Sequence, residues 1–213
     1  MNRTLPARDE VHVWFCDAAR SGGRHADAIG DIALLSREEK IRCARITRPA
    51  ERRGFAAARA GARRVLADLV GAAPETIDMS AGMWVSAGRG LQEDAPAVYA
   101  GPCSTPLVLD LVWSADAWVL GLSAGIRLCL ALERVEGPAS AASARERVRR
   151  KALARLSGAE RTTAVQGAAG DFSVYDVPTP GSAVAAVAAV ACSGRHRRTG
   201  GPSLLLREVP VAT

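Results

Sequence analysis

Three strand-like runs crowd into residues 107–133, and they limit the possible folds more than any other feature of the chain. Leu107 to Val112, Trp118 to Ser123 and Ile126 to Glu133 are rich in aliphatic and β-branched residues and are separated by only a few positions. Connections this short join antiparallel neighbours, because a parallel crossover needs a dozen residues or more. Ala124-Gly125, between the last two runs, is expected to form a tight hairpin turn.

Helices and further strands flank this block. Val11 to Cys16 reads as a first strand. Ser36-Arg37-Glu38-Glu39 sets up a helix start, with the Ser hydroxyl capping a free amide while Glu39 reaches back. Pro49 interrupts that helix, and a second, rich in Ala and Arg, runs from about Ala50 to Val70 and stops at Gly71. Residues 77–105 are irregular, punctuated by Gly and Pro. A basic helix is expected from Ala141 to Leu156, ending at Gly158. Two final strands follow, Phe172 to Val177 and Ala183 to Ala191, joined by Pro178-Thr179-Pro180-Gly181. Antiparallel strand blocks with interspersed helices define an α+β fold, not a doubly wound parallel sheet. A break near residues 100–106 divides the chain into an N-terminal lobe, 1–105, and a C-terminal lobe, 106–213, forming one compact pseudo-two-fold unit.

A chain of 213 residues buries enough surface to need neither disulfides nor metal for a core. The cysteines at 16, 43, 103, 129 and 192 form no CxxC pair and read as reduced, buried thiols. His12, His25 and His196 lack zinc-ligand spacing. The net charge of +6 comes almost wholly from arginine, since Lys40 and Lys151 are the only lysines. Such a surface attracts phosphorylated cofactors or acidic proteins. Nucleic acid is not expected as a partner, because the few aromatics are not interleaved with arginines. The stretch Arg195 to Gly201 reads as a solvated loop. No apolar run approaches the roughly 20 residues of a membrane span. Asp9, Glu10 and Asp17 stand where a signal peptide needs an uncharged core, so a cytoplasmic protein is expected. P-loop, GxGxxG, HExxH and GxSxG motifs are all missing.

Several stretches, taken in order, resemble the Sfp-type 4'-phosphopantetheinyl transferases. Val11-His12-Val13-Trp14 is similar to the family's first strand. Leu35-Ser36-Arg37-Glu38-Glu39-Lys40-Ile41-Arg42-Cys43-Ala44-Arg45 is similar to its "LS..E..R..R" segment. The helix beginning Phe55-Ala56-Ala57-Ala58-Arg59 and continuing to Arg63, Arg64 and Leu66 looks like its "F..aR..lR.lL" helix, and Phe172 to Val190 like its last hairpin. The resemblance implies a two-lobed α+β fold binding coenzyme A between the lobes. It also implies a magnesium ion on the pyrophosphate, attack by a carrier-protein serine, and a role in fatty-acid, polyketide or nonribosomal-peptide assembly.

The chain departs from that pattern at the chemistry. The "SHS" segment falls on Trp113, Ser114 and Ala115, without its histidine. The metal-binding "D-x-E" falls on Ala131-Leu132-Glu133, and the glutamate of "W...E...K" is replaced by Lys151, between Arg147 and Arg155. The "GKP" segment falls on Asp94-Ala95-Pro96. A carboxylate, a methyl group and an ammonium therefore stand where the resemblance implies three carboxylates. Unit charges about 4 Å apart interact by about 4 kcal/mol at an effective dielectric near 20, so an ammonium beside a lone carboxylate makes a poor magnesium site. No metal or cofactor is expected; the alternative is coenzyme A with magnesium, held by displaced ligands such as Asp110, Asp116 or Glu136.

The expected site follows from these departures. Glu133, Asp116 and Ser114 are the catalytic candidates, and Trp113, Trp118, Arg127, Lys151 and Arg155 the substrate-binding ones. Along the third strand Arg127, Cys129, Ala131 and Glu133 share one face, and Ile126, Leu128, Leu130 and Leu132 the other. Glu133 serves as acid, base or acceptor in a cleft, or else pairs with Arg127, Arg134 or Lys151. Two indoles flanking Asp116 would line a pocket and raise its pKa by desolvation; in the plainer alternative Trp118 is core, Trp113 is half exposed and Asp116 caps a turn. The arginine-rich run 145–151 is either a patch for phosphate or acidic protein or a solvated helix face. The partner expected is a small biosynthetic intermediate, free or on a carrier protein, processed by a metal-free cyclase, isomerase or lyase. The alternatives are an active phosphopantetheinyl transferase and a non-catalytic carrier-binding module.

Overall fold

Alternation along the strands dictates how the layers stack. In β4 (Leu107–Trp113) Leu107, Leu109, Leu111 and Trp113 face one apolar layer, while Val112 and the buried Asp110 face another. A strand buried on both faces needs a cover on each. The computed structural model describes residues 4–7, 10–17, 28–79, 85–86, 97–99, 107–124, 128–135, 141–162, 171–177, 184–192 and 203–208. Within these the covers are helices on one side and a second sheet on the other.

The first sheet contains β1 (Glu10–Asp17), β2 (Val85–Ser86), β3 (Ala97–Tyr99), β4, β5 (Ala117–Ala124) and β9 (Ser203–Glu208). Its order is β2-β4-β5-β1-β9, with β3 also paired to β4. β5 is antiparallel to both β4 and β1, with Trp118 opposite Trp113 and Gly121 opposite Val13. β9 runs parallel to β1, and β2 parallel to β4. β1 thus lies between strands that come later in the chain, and the sheet draws from both sides of residue 105. The second sheet, β6 (Leu128–Arg134), β7 (Asp171–Val177) and β8 (Val184–Cys192), is antiparallel in the order β6-β8-β7.

β5 and β6 do not pair as the expected hairpin requires, and Gly125 of its turn lies outside the described residues. β5 already has β4 and β1 on its two edges, so β6 has no edge of β5 to join and pairs with β8 in the other sheet. Leu128 and Leu130 pack back onto the first sheet, while Cys129 and Ala131 face a helix. The two-faced pattern read from this strand is thus accommodated by stacking.

On the outer side of the first sheet lie α1 (Ala28–Ala33), α2 (Arg37–Arg45) and α3 (Pro49–Val70). The cap expected at Ser36 is present: the Glu39 amide donates to Ser36 Oγ at 3.2 Å, and the Ser36 amide donates to Glu39 Oε2 at 2.8 Å. Glu39 also pairs with Arg59 Nε at 2.9 Å and Arg63 Nη2 at 2.7 Å, which pins α2 to α3. α3 stops at Gly71, whose φ of 68° is the left-handed conformation that most side chains avoid. Phe55, Ala58, Ala62 and Leu66 pack with Leu109, Leu111, Trp113 and Trp118 in the core below α3.

α4 (Ala141–Thr162) covers the second sheet through Ala144, Val148, Ala152 and Leu156. The helix continues past Gly158, where a stop was expected, because the backbone there stays helical. Its flanks reach the two outer strands: Arg147 and Lys151 bond Glu133 on β6, and Arg149 bonds Asp176 on β7. The fold is α+β, and among the described residues no helix is long and apolar enough to cross a membrane. The stretch 195–201, and Arg127 and Glu136, lie outside the described residues.

Candidate functional site

The β4–β5 turn holds the first group of candidates. The Ser114 amide donates to the Ala117 carbonyl at 2.7 Å, and the Ala117 amide donates to Ser114 Oγ at 3.1 Å. Ser114 Oγ in turn lies 3.0 Å from Asp116 Oδ1, to which it donates. The serine hydroxyl is therefore built into the turn. Asp116 Oδ2 pairs with Arg134 Nη1 at 2.6 Å, linking this turn to the end of β6. A helix passes close overhead: a Cβ at Gly54 on α3 would collide with the Ser114 carbonyl.

The indoles do not flank Asp116 as a pocket wall. Trp113 and Trp118 both lie on the face of the first sheet that meets α3, Trp118 against Gly61 and Trp113 edge-to-face with Phe55 at 5.7 Å. Trp113, expected half exposed in one of the two alternatives, is 8% exposed, and its indole N–H has no hydrogen-bond acceptor. Burial without an acceptor costs about 1–3 kcal/mol.

Glu133 forms the second group. Arg147 Nε donates to Oε1 at 2.7 Å with Nη2 at 2.6 Å from the same oxygen, and Lys151 Nζ donates to Oε2 at 3.0 Å. Arg147 and Lys151 are four residues apart, on one flank of α4, so both reach the same strand end. Of the pairings considered from sequence, Lys151 is found and Arg147 joins it, whereas Arg134 turns to Asp116. Partial burial pushes the Glu133 carboxyl up, but the bonds and charges of Arg147 and Lys151 outweigh it and hold the pKa below the ordinary glutamate value. Glu133 is thus a carboxylate at neutral pH, suited to accept a proton or a hydrogen bond and not to donate one.

Arg155 lies elsewhere. It points from α4 into the space between the sheets, where Nη1 and Nη2 each meet an Asp110 oxygen at 3.0 Å and Nη1 donates to the Leu130 carbonyl. Asp110 Oδ2 also accepts the Leu130 amide at 2.6 Å. With side chains 8% and 1% exposed, Arg155 and Asp110 form a core pair tying β4, β6 and α4 together. This pair was missed from sequence, although a lone Asp in the apolar run Leu107–Trp113 signals a buried, partnered carboxylate. The buried trio Glu39, Arg59 and Arg63 was missed likewise; there burial lowers the Arg59 pKa to about 10 against the opposing charge of Glu39.

A magnesium ion requires oxygen donors with negative charge to spare. Asp110, Asp116 and Glu133 are each bonded to one or two basic side chains, and the Glu133 group carries more positive than negative charge. These residues do not fit a magnesium ion. Comparison with protein-family models finds no match, and comparison with curated proteins finds none either.

Proposed function

We propose that this is a phosphopantetheinyl-transferase-like protein that has given up magnesium-dependent transfer. It serves polyketide or nonribosomal-peptide biosynthesis in the cytoplasm as a metal-free cyclase, isomerase or lyase. The observation that supports this reading is Glu133 gripped by Arg147 and Lys151, at the place where the resemblance implies the carboxylates of a cation cradle. The group keeps one oriented carboxylate and surplus positive charge. A weakly basic carboxylate suits abstraction of an already acidic proton, such as one between two carbonyls. The neighbouring guanidinium and ammonium oppose the charge that then develops on the carbonyl oxygen. The intermediate is therefore expected to carry a carbonyl or carboxylate group, free or on a carrier protein.

The test has two arms. Glu133→Gln and Lys151→Met are expected to abolish or redirect formation of the pathway product while leaving the protein folded. Incubation of the wild-type protein with an apo carrier protein, coenzyme A and magnesium is expected to leave the carrier mass unchanged. A mass gain that a chelator abolishes would establish the active transferase instead and sink this proposal.

A further inference from the structure

We infer that Asp110 and Arg155 are positioning residues for the Glu133 group: set between the sheets, they choose the register of α4 on β6 and so decide which basic side chains meet that carboxylate. The other contacts of α4 leave the choice open. Arg147, Lys151 and Arg155 follow one another at four-residue spacing, as do Ala144, Val148, Ala152 and Leu156 in the layer beneath. A slip of α4 by one turn, about 5.4 Å, would lay one apolar side chain where the next had been. It would also offer Glu133 either Lys151 with Arg155 or Ser143 with Arg147. The side chains packed there are mostly small, Cys129 and Ala131 from β6 with Ala144 and Ala152 from α4, and small side chains interlock weakly. Nor can the outer ion pairs choose, since Arg147, Lys151 and Arg149 are all about half exposed and water competes for each.

Arg155 has no such latitude. Its buried guanidinium meets Asp110 through both Nη1 and Nη2 and also donates to the Leu130 carbonyl, while Asp110 accepts the Leu130 amide. The fork thus selects one backbone position of β6, three residues before Glu133, or about 10 Å along the strand. On α4, Lys151 lies one turn before Arg155, about 6 Å, and Arg147 two turns before. Helix and strand run in opposite senses here, so with Arg155 held at Leu130, Arg147 and Lys151 come to Glu133. A slip either way would pull the fork off Asp110 and leave buried charges unpaired. A buried polar contact that penalises wrong registers fixes pairing in coiled coils by the same means. The part this register plays in catalysis rests on the reading of Glu133 proposed above; the register itself is measured without substrate.

The experiment is side-chain NMR of the full chain, following the Glu133 carboxyl through a pH titration together with the Arg147 Nε–H resonance. Asp110→Leu/Arg155→Met removes one charge of each sign, so a change at Glu133 reports displacement of its partners and not a change in net charge. In this variant the Glu133 titration is expected to rise to the ordinary glutamate range, and the Arg147 Nε–H to lose its hydrogen-bonded shift. Asp110→Asn, a milder change, should move both in the same direction by less; its added positive charge alone would move the Glu133 titration the other way. Arg155→Lys keeps a cation for Asp110 and should hold both near wild type. Glu39→Gln is destabilising too, but acts in the helical layer over the first sheet, and should leave both unchanged. An unshifted Glu133 in Asp110→Asn or the double variant, an equal shift in Glu39→Gln, or no rescue by Arg155→Lys would overturn the inference. Failure of the proposed chemistry looks different: Glu133→Gln would still form the pathway product.

Discussion

Replacing Asp110 with Ala removes the acceptor for three donors at once: Arg155 Nη1, Arg155 Nη2 and the Leu130 amide. What remains is a guanidinium 8% exposed between two sheets that still donates to the Leu130 carbonyl but has lost the Asp110 carboxylate. Breaking a buried pair from one side costs about 3–5 kcal/mol, against a total stability of about 5–15 kcal/mol for a domain. We expect a loss of about 4 kcal/mol for Asp110→Ala, and about the same for Arg155→Met, which strands the carboxylate. The double variant Asp110→Leu/Arg155→Met should lose only about 3 kcal/mol, because it leaves no buried charge and its cost is the unpaired Leu130 amide and carbonyl. The sum of the single losses would be about 8 kcal/mol, so the cycle should be strongly non-additive. Urea unfolding followed by tryptophan fluorescence reads this directly, since Trp14, Trp113 and Trp118 are buried. With a slope of about 2.5 kcal/mol per molar, Asp110→Ala should lower the midpoint by about 1.5 M. Asp110→Asn keeps an acceptor for the Leu130 amide and should lose less, which guards against a variant too unstable to measure. Single losses below about 1 kcal/mol, or additive ones, would refute the assignment of this pair as the tie between the sheets.

Other consequences are equally accessible. Glu39→Gln should destabilise by about 3 kcal/mol or more, far beyond the roughly 1 kcal/mol for Ser36→Ala, because it removes the carboxylate that the buried Arg59 and Arg63 share. Gly54→Ala should displace the β4–β5 turn, shifting the amide resonances of Ser114 and Ala117 and lowering the unfolding midpoint. The Glu133 pKa is lower folded than unfolded, so its contribution to stability is present above the unfolded value and lost as pH falls through the folded one. The stability difference between wild type and Glu133→Gln should therefore be measurable at pH 7 and vanish in acid; a difference that grew on acidification would contradict the pairing. Asp176→Asn should leave the urea midpoint nearly unchanged, since its bond to Arg149 is exposed on both sides.

Local signals carried much of the fold. The Ser36–Glu39 cap, the left-handed stop at Gly71 and the strands β1, β4 and β5 depend on nearest neighbours in sequence, and they are found as expected. Sheet membership is a different matter. The spacing of β5 and β6 suits a hairpin, but whether it forms depends on which edges are taken, and β1, far away in sequence, occupies the edge of β5. β9 was not expected, and its parallel pairing with β1 joins segments too far apart in sequence for local signals to show. The candidate site divides the same way. A short range of pairings for Glu133 was legible, because a carboxylate at a strand end near a basic helix must find a cation, but Arg147 and Lys151 were set by how α4 crosses the second sheet. The inward turn of Arg155 and the burial of both indoles under α3 are packing outcomes that residue type alone does not determine.

Side-chain carboxyl NMR of Glu133, followed through additions of magnesium and coenzyme A, tests the central claim at the atoms concerned. The salt link predicts a resonance titrating below the ordinary glutamate range and indifferent to magnesium, with or without coenzyme A. A saturable magnesium-dependent shift of that carboxyl, accompanied by release of the Lys151 ammonium, would contradict it.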